Sequence, residues 1–354
     1  MIRYVPFLKL KSNEILALGD LLPSDFDKVC PFFDCPRDRG ETEAGFKSAM
    51  EKAERSFKRN IENIAELYID DYDIDDSFLV DGESSYSFML KVFSDFPYIP
   101  VVSIDRTPER IQSVVDAKAG GVIKSEVLAF RVTYEDFVSY EVVADEVREC
   151  LEEVAKEFEF IDLVFDCRVC SGLDIEVASK CIVDFLSGFS NDYEVRRVIT
   201  AGSGVTASIR DVLEVGSQVV VDRKEFELFD SIKRSMAEGL LVFGDYATVS
   251  PEYSDTDMRP EIMQNLTAPK IIYAFEKNQF FIRGRALKTH GFEQYEDMLS
   301  ELCGKNFYRK PEYSEGDKFF YEKSRGGGKN CTPSSVVRPS VNAHITYMVR
   351  DADI

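Results

Sequence analysis

The chain reads as an α/β protein, a (β/α)₈ TIM-like barrel with an α+β extension at its C-terminal end. Two observations predict this. Short apolar runs that end in a charged residue recur about eight times, and segments of helix length separate them. Strands alternating with helices imply a parallel sheet, and about eight such units imply a closed barrel. A third observation concerns chemistry: the charges stand at the C-terminal ends of the runs, the end at which such barrels carry their sites.

The runs are YVPFLKLK (4–11), CPFFDCPR (30–37), AELYIDDYD (65–73), IPVVSIDR (99–106), VLAFRVT (127–133), IDLVFDCR (161–168), VRRVITAGS (195–203) and LLVFGDYATVS (240–250). The first helix starts near NEILALGDLL, with Ser12 or Asn13 as N-cap and a glutamate in its first turn. In residues 42–64, Phe46, Met50, Ala53, Phe57 and Ile61 recur at helical spacing. Val143, Val147, Leu151 and Val154 do the same in 139–158. Both stripes face a barrel, with charges to water. The segment 207–239 is too long for one crossover helix, so Gly216 to Asp222 is expected to be a loop or a short extra strand.

After about residue 260 the pattern changes, which divides the chain into a barrel (1–260) and an extension packed on it (261–354). Residues 269–287 read as a hairpin turning at Glu276-Lys277-Asn278. Residues 292–304 read as a helix ending at Gly304, 324–330 as a loop, and PSVNAHITYMVRD as a last helix. Some ninety residues so broken in pattern make a poor core of their own.

Composition excludes several classes. The chain has 354 residues, is 44% hydrophobic and carries a net charge of −21. Such a field repels nucleic acid and anionic membranes, although a local basic pocket can hold a phosphate-bearing small ligand. No run is long enough to span a bilayer and the N-terminus does not read as a signal peptide. Eight cysteines without a signal fit reduced thiols and a cytoplasmic setting.

Residues two apart on a strand share a face. Taken in phase from the apolar members, the strand ends place Lys9, Lys11, Asp34, Asp70, Asp105, Arg131, Asp166, Arg168 and Asp245 at one mouth. For the last strand the phase used is Leu241, Phe243, Asp245. Asp34, Asp70, Asp105, Asp166 and Asp245 are the candidate catalytic residues, because carboxylates held together serve as acid and base or hold a divalent metal. Lys9, Lys11, Arg131, Arg168, Tyr246, Arg283 and Arg285 are the candidate ligand-binding residues, because cations hold phosphate or carboxylate. The competing reading is a ring of paired charges that closes the barrel.

Other signals are weak. Cys167-Arg-Val-Cys170 is a lone C-x-x-C, and two histidines, His290 and His344, do not complete a zinc site. AGSGV (201–205) lacks the spacing and the lysine of a phosphate loop, and no G-x-S-x-G elbow occurs. The run DDYDIDD (70–76) lacks the glycine and terminal glutamate of a calcium loop and reads as a solvated loop, with Asp70 reaching the mouth. No metal or cofactor is assigned.

Several of these segments resemble the Beta family of satellite phages. They are Tyr4-x-Pro6-x-Leu8-Lys9-x-Lys11-x-x-Glu14, PFFD (31–34), the IDD of the third run (69–71), VVSIDR, IDLVFD, Arg223-x-Glu225, Phe243-Gly244-Asp245-Tyr246 with SP (250–251), IRGR (282–285) and NAHIT (342–346). The resemblance implies a gene of bacterial mobile elements linked to phage defence, in which Beta counteracts the toxicity of a partner protein called Gop. It implies no catalytic residues. Two functions follow as expectations. One is an interaction protein that senses or inhibits a toxin or phage protein through the charged mouth. The other is a metal-dependent, phosphodiesterase-like hydrolase using the mouth carboxylates.

Overall fold

A computed structural model describes residues 2–38, 42–206, 213–237, 239–252 and 268–354. The strands in chain order begin with β1 (Tyr4–Lys9), β2 (Phe32–Asp34) and β3 (Leu67–Asp70). A two-rung hairpin of β4 (Leu79–Val80) and β5 (Glu83–Ser84) precedes β6 (Tyr98–Val102), β7 (Val127–Thr133), β8 (Phe160–Val169) and β9 (Val195–Ser203). Then come β10 (Gln218–Asp222), β11 (Leu241–Asp245), β12 (Lys270–Phe275) and β13 (Asn278–Arg283).

Eight of these close a barrel in the order β1-β11-β9-β8-β7-β6-β3-β2, and every barrel pairing is parallel. Strands buried on both faces must be apolar in both phases. One phase fills the interior with Val5, Phe7, Phe32, Tyr68, Ile99, Val101, Ala129, Val164, Ile199 and Val242. The other, including Tyr4, Leu8, Phe33, Phe130, Phe165 and Phe243, packs under the helices. The register sets Lys9 beside Asp34 and Asp34 beside Asp70, so three adjacent strands end in charges at one level.

The outer layer is α1 (Ser12–Gly19), α2 (Pro23–Phe26), α3 (Glu43–Asn60), α4 (Ser85–Val92), α5 (Pro108–Ala119), α6 (Tyr134–Phe137), α7 (Tyr140–Leu151), α8 (Ile175–Phe189) and α9 (Lys224–Lys233). In α3 the Thr42 side chain accepts from the Gly45 amide at 3.2 Å, and Phe46, Met50, Ala53 and Phe57 are buried at the expected spacing. In α7 the buried stripe is Ala144, Val147, Cys150 and Leu151; Val143 is half-buried, and Val154 lies in the 3₁₀ turn that follows. For α1 the cap position is Lys11, one residue before the expected Ser12.

The extra strand expected within 216–222 is β10. It pairs antiparallel with β13, whose other neighbour is β12, giving a three-stranded sheet. Ile272 and Phe281 of this sheet pack on Val205 and Leu213, just past β9. The remaining helices are α10 (Leu287–His290), α11 (Gln294–Cys303), α12 (Glu315–Lys323) and α13 (Val337–Arg350). The boundary placed at 260/261 falls in 253–267, outside the described residues. α13 is buried from Pro339 to Val349, packs on α1, β1 and β12, and covers the outer faces of β1 and β11. In that position it serves as the eighth helix of the barrel.

Candidate functional site

The mouth is organised by one guanidinium. Arg131, the inward residue near the end of β7, has no solvent exposure. Its Nη1 donates to Asp34 Oδ1 and to Asp70 Oδ2, each at 2.7 Å. Its Nη2 donates to Asp166 Oδ2 at 2.5 Å, and its Nε reaches the same oxygen at 3.2 Å. The Tyr246 hydroxyl donates to Asp166 Oδ2 at 2.6 Å. Strands β2, β3, β7 and β8 thus each send one charge to a common point, as their inward phase requires.

Four further cations surround these carboxylates. Arg110 on α5 donates to Asp70 Oδ1 at 2.7 Å and also pairs with Asp71. Arg106 lies 3.7 Å from Asp70, Lys9 holds Asp73 at 2.6 Å, and Arg168 lies 3.7 Å from Asp73. Five carboxylates (Asp34, Asp70, Asp71, Asp73, Asp166) therefore meet five cations (Lys9, Arg106, Arg110, Arg131, Arg168). Buried charges persist when paired with opposite charges, and here each has such a partner, while Asp34 Oδ2, Asp71 Oδ1 and single nitrogens of Arg106 and Arg168 make no hydrogen bond among the described residues.

Tyr72 covers this cluster. The guanidiniums of Arg131, Arg168 and Arg106 lie 4.3, 4.6 and 4.7 Å from its ring centre. The run DDYDIDD is consequently not a solvated loop. Asp70 and Asp71 are buried, Tyr72 is stacked and Asp73 is paired. Its composition suggested solvation, but the cations that neutralise it come from β1, α5, β7 and β8, distant in sequence.

Burial pushes the carboxyls of Asp34, Asp70 and Asp166 up, and the neighbouring cations decide the result. At Asp70 the combined pull of Arg106, Arg110 and Arg131 outweighs burial and holds the carboxyl down to about 2. At Asp166, Arg131 and Arg168 likewise outweigh it. At Asp34 burial prevails over Arg131, so this carboxyl is raised, and its Oδ2 has no hydrogen-bond partner among the described residues. The Ser103 hydroxyl, the inward residue after β6, is likewise buried without a partner. Among the described residues no group of three or more metal-type ligands forms; Asp34, Asp70 and Asp166 converge on the Arg131 guanidinium instead of an open point.

Other expected residues lie elsewhere. Asp105 is not in the mouth: β6 ends at Val102, the chain turns, and Asp105 is exposed, 3.4 Å from Arg106. Lys11 stands on the rim, 38% exposed, and faces Asp38 at 3.6 Å. Arg283 ends β13, buried, and donates to the Leu213 carbonyl at 2.6 Å, while Arg285 is exposed beyond that strand. Arg283 belongs to the three-stranded sheet, and Arg285 to the segment that follows it.

Asp245 is the main correction. The inward phase of β11 is Val242, Gly244 and Tyr246; Leu241, Phe243 and Asp245 face the helices. Both phases of LLVFGD are apolar, so its register could not be read from the sequence. Asp245 accepts from the Tyr4 hydroxyl at 2.5 Å, pairs with Arg223 and lies 2.9 Å from His344 Nε2 of α13. Arg223 Nε also donates to Glu225 at 2.7 Å. Burial pushes Asp245 up, but His344 and Arg223 hold it below the ordinary carboxylate range. Burial lowers His344, which outweighs the pull of Asp245, so the imidazole is neutral and its Nε2–H donates.

A model of the Beta protein family matches residues 4–350. The chain belongs to this family. No curated protein matches it. The Beta-like segments now acquire physical roles. PFFD and IDLVFD supply Asp34 and Asp166 to the Arg131 cluster, and VVSIDR supplies Ser103 and Arg106. Tyr4, Arg223-x-Glu225 and His344 of NAHIT build the outer network on Asp245. In FGDY, Phe243 packs on Phe226 of α9, Gly244 lies against β1, Asp245 serves the outer network and Tyr246 the inner one. Tyr72, Arg110 and Asp73 were missed; the single aromatic inside an acidic run was the available signal.

Proposed function

We propose that this Beta family protein is the partner-binding component of a phage-defence or toxin-neutralising system of a bacterial mobile element, working in the cytoplasm. It senses or restrains a protein partner, and the charged rim of the mouth takes part. The family supports the setting. The observation that carries the mode of action is the Arg131 cluster. Carboxylates poised for a metal would share an open point, whereas Asp34, Asp70 and Asp166 share a guanidinium. Such a cluster is a charge-balanced platform under Tyr72, and the groups left to a partner are exposed charges around it, such as Lys11 on the rim and Asp105 in the turn after β6.

The test is co-expression. The chain and the toxin that this reading requires are induced together in bacteria, and growth and phage plaques are scored. Neutralisation by the wild-type chain, with recovery of the two proteins as one complex, is the expected result. Soluble, folded chain that neither neutralises nor binds the toxin would overturn the reading. A second reading, hydrolysis at the mouth, draws on one observation: Asp34 is raised while Asp70 and Asp166 are lowered, a split that suits acid and base roles.

A further inference from the structure

We infer that the groove between α5 and α7 is a docking site for a basic, amphipathic segment of a protein partner. The inference rests on the reading that the protein binds a protein, and it names the surface and the chemistry of the segment.

The groove follows from the two helices. α5 buries Arg110 and Val114 but leaves Ile111 and Val115 half-exposed. α7 buries Val147, Cys150 and Leu151 and sends Glu146 and Glu149 to the surface beside them. Between the helices lies a cavity of about 340 Å³ floored by Ile104, Ile111, Val115, Cys150 and Val154. Partly exposed aliphatic side chains in a concave surface are a seat for apolar anchors of an incoming helix.

The rim sets the charge of the occupant. Glu146, Glu149 and Glu153 line the groove. Asp105, displaced from the mouth, is near enough to add to the upward push that burial gives the Cys150 thiol. Arg148 of α7 is engaged away from the groove, with Asp145 at 2.7 Å and Asp192 at 3.3 Å, while Lys156, past the helix, takes up Glu153 of the rim at 2.7 Å and leaves the charge of the groove to Glu146 and Glu149. Among the described residues Glu146 and Glu149 have no ion-pair partner. Among the described residues Arg106 is the only cation lining the groove; its side chain is 7% exposed and committed to Asp70 and the Tyr72 ring.

The same charge continues across α5. A cavity of about 680 Å³ between α4 and α5 is lined by Asp76, Glu83, Glu109 and Asp116, with Lys91 already held by Glu83 at 2.6 Å. Lysines and arginines flanking an apolar stripe meet carboxylates on both sides of α5. A second copy of this acidic chain is repelled there.

The test uses the full chain and labelled synthetic peptides followed by fluorescence anisotropy. One is an amphipathic leucine/lysine helix, one its leucine/glutamate counterpart, and one a lysine-only peptide. The leucine/lysine helix is expected to bind, the lysine-only peptide at least about tenfold more weakly, and the glutamate peptide not at all. The double variant Glu146→Lys/Glu149→Lys is expected to weaken binding about tenfold or more. Glu312→Lys/Glu322→Lys, an equal charge change at an exposed site on and before α12, is expected to leave it unchanged. Thermal melts check that both variants fold. Equal loss in the two double variants, or equal binding of the lysine-only peptide, would overturn the inference. So would a Glu146→Lys/Glu149→Lys chain that still neutralises the toxic partner, an outcome that leaves partner binding itself standing. A wild-type chain that binds the helix at this groove yet neutralises nothing would remove the functional reading and leave the groove.

Discussion

His344 Nε2 lies 2.9 Å from Asp245 Oδ2, joining residues 99 positions apart. The contact fastens the last helix to the outer face of the last barrel strand. Burial holds His344 below its ordinary value of 6.5, so it folds uncharged. Its stabilising contribution is complete above pH 6.5 and is lost as the pH falls below that value, by up to about 1.4 kcal/mol per pH unit. Asp245, depressed, loses its contribution only below its ordinary 3.8. His344→Gln keeps a donor and removes the titration. Urea unfolding at a series of pH values should show a flatter acid limb between pH 6.5 and 5 for the variant than for the parent. Equal slopes would contradict the assignment.

Glu14, on α1, works in the opposite sense. Burial raises its carboxyl from 4.5 to about 7. Its neutral form is favoured in the fold, so its contribution is full below pH 4.5 and is lost as the pH rises through 7. Glu14→Gln should match the parent in Tm near pH 4.5 and exceed it at pH 8. A variant that is less stable at pH 8 would show the carboxylate to be the favoured form.

Two aspartates expected at the same mouth should behave differently. Asp245→Ala leaves Arg223 buried beside Tyr4 and should cost about 3–5 kcal/mol. Asp105→Ala removes an exposed carboxylate and should change stability by no more than about 0.5 kcal/mol. Chemical denaturation of both variants decides it, and similar losses would mean that Asp105 is buried after all.

Gly244 is inward on β11, where a Cβ would lie 3.0 Å from the Val5 carbonyl oxygen, 3.1 Å from the Phe7 ring and 3.3 Å from Ile199. Gly244→Ala should cost about 1–3 kcal/mol through overpacking of the interior. A variant as stable as the parent in the same denaturation experiment would show that β1 can yield.

The barrel was legible because its strands are short apolar runs at even spacing. Asp34, Asp70, Arg131 and Asp166 were legible because each continues the inward phase of its run to the strand's end. Asp105 was misplaced because β6 stops at Val102 and a phase does not outlive its strand. Asp245 was misplaced because β11 is apolar on both faces. His344, Arg223 and Tyr4 could be quoted as motif residues, but their meeting depends on α13 returning to the barrel after the three-stranded sheet, a path that local pattern does not encode. Tyr72 was hidden by its acidic neighbours, whose neutralising cations arrive from four other elements.

Arg131 and its neighbouring cations, in place of a metal, neutralise the mouth carboxylates. Titration of the purified chain with Mn²⁺ and Mg²⁺, followed by thermal melting, tests it most directly. The expected result is an unchanged Tm at millimolar metal and no hydrolysis of a phosphodiester reporter, with Arg131→Met lowering stability by about 3–5 kcal/mol. A metal-dependent rise in Tm with reporter hydrolysis, both abolished by Asp34→Asn in a variant that still folds, would contradict it.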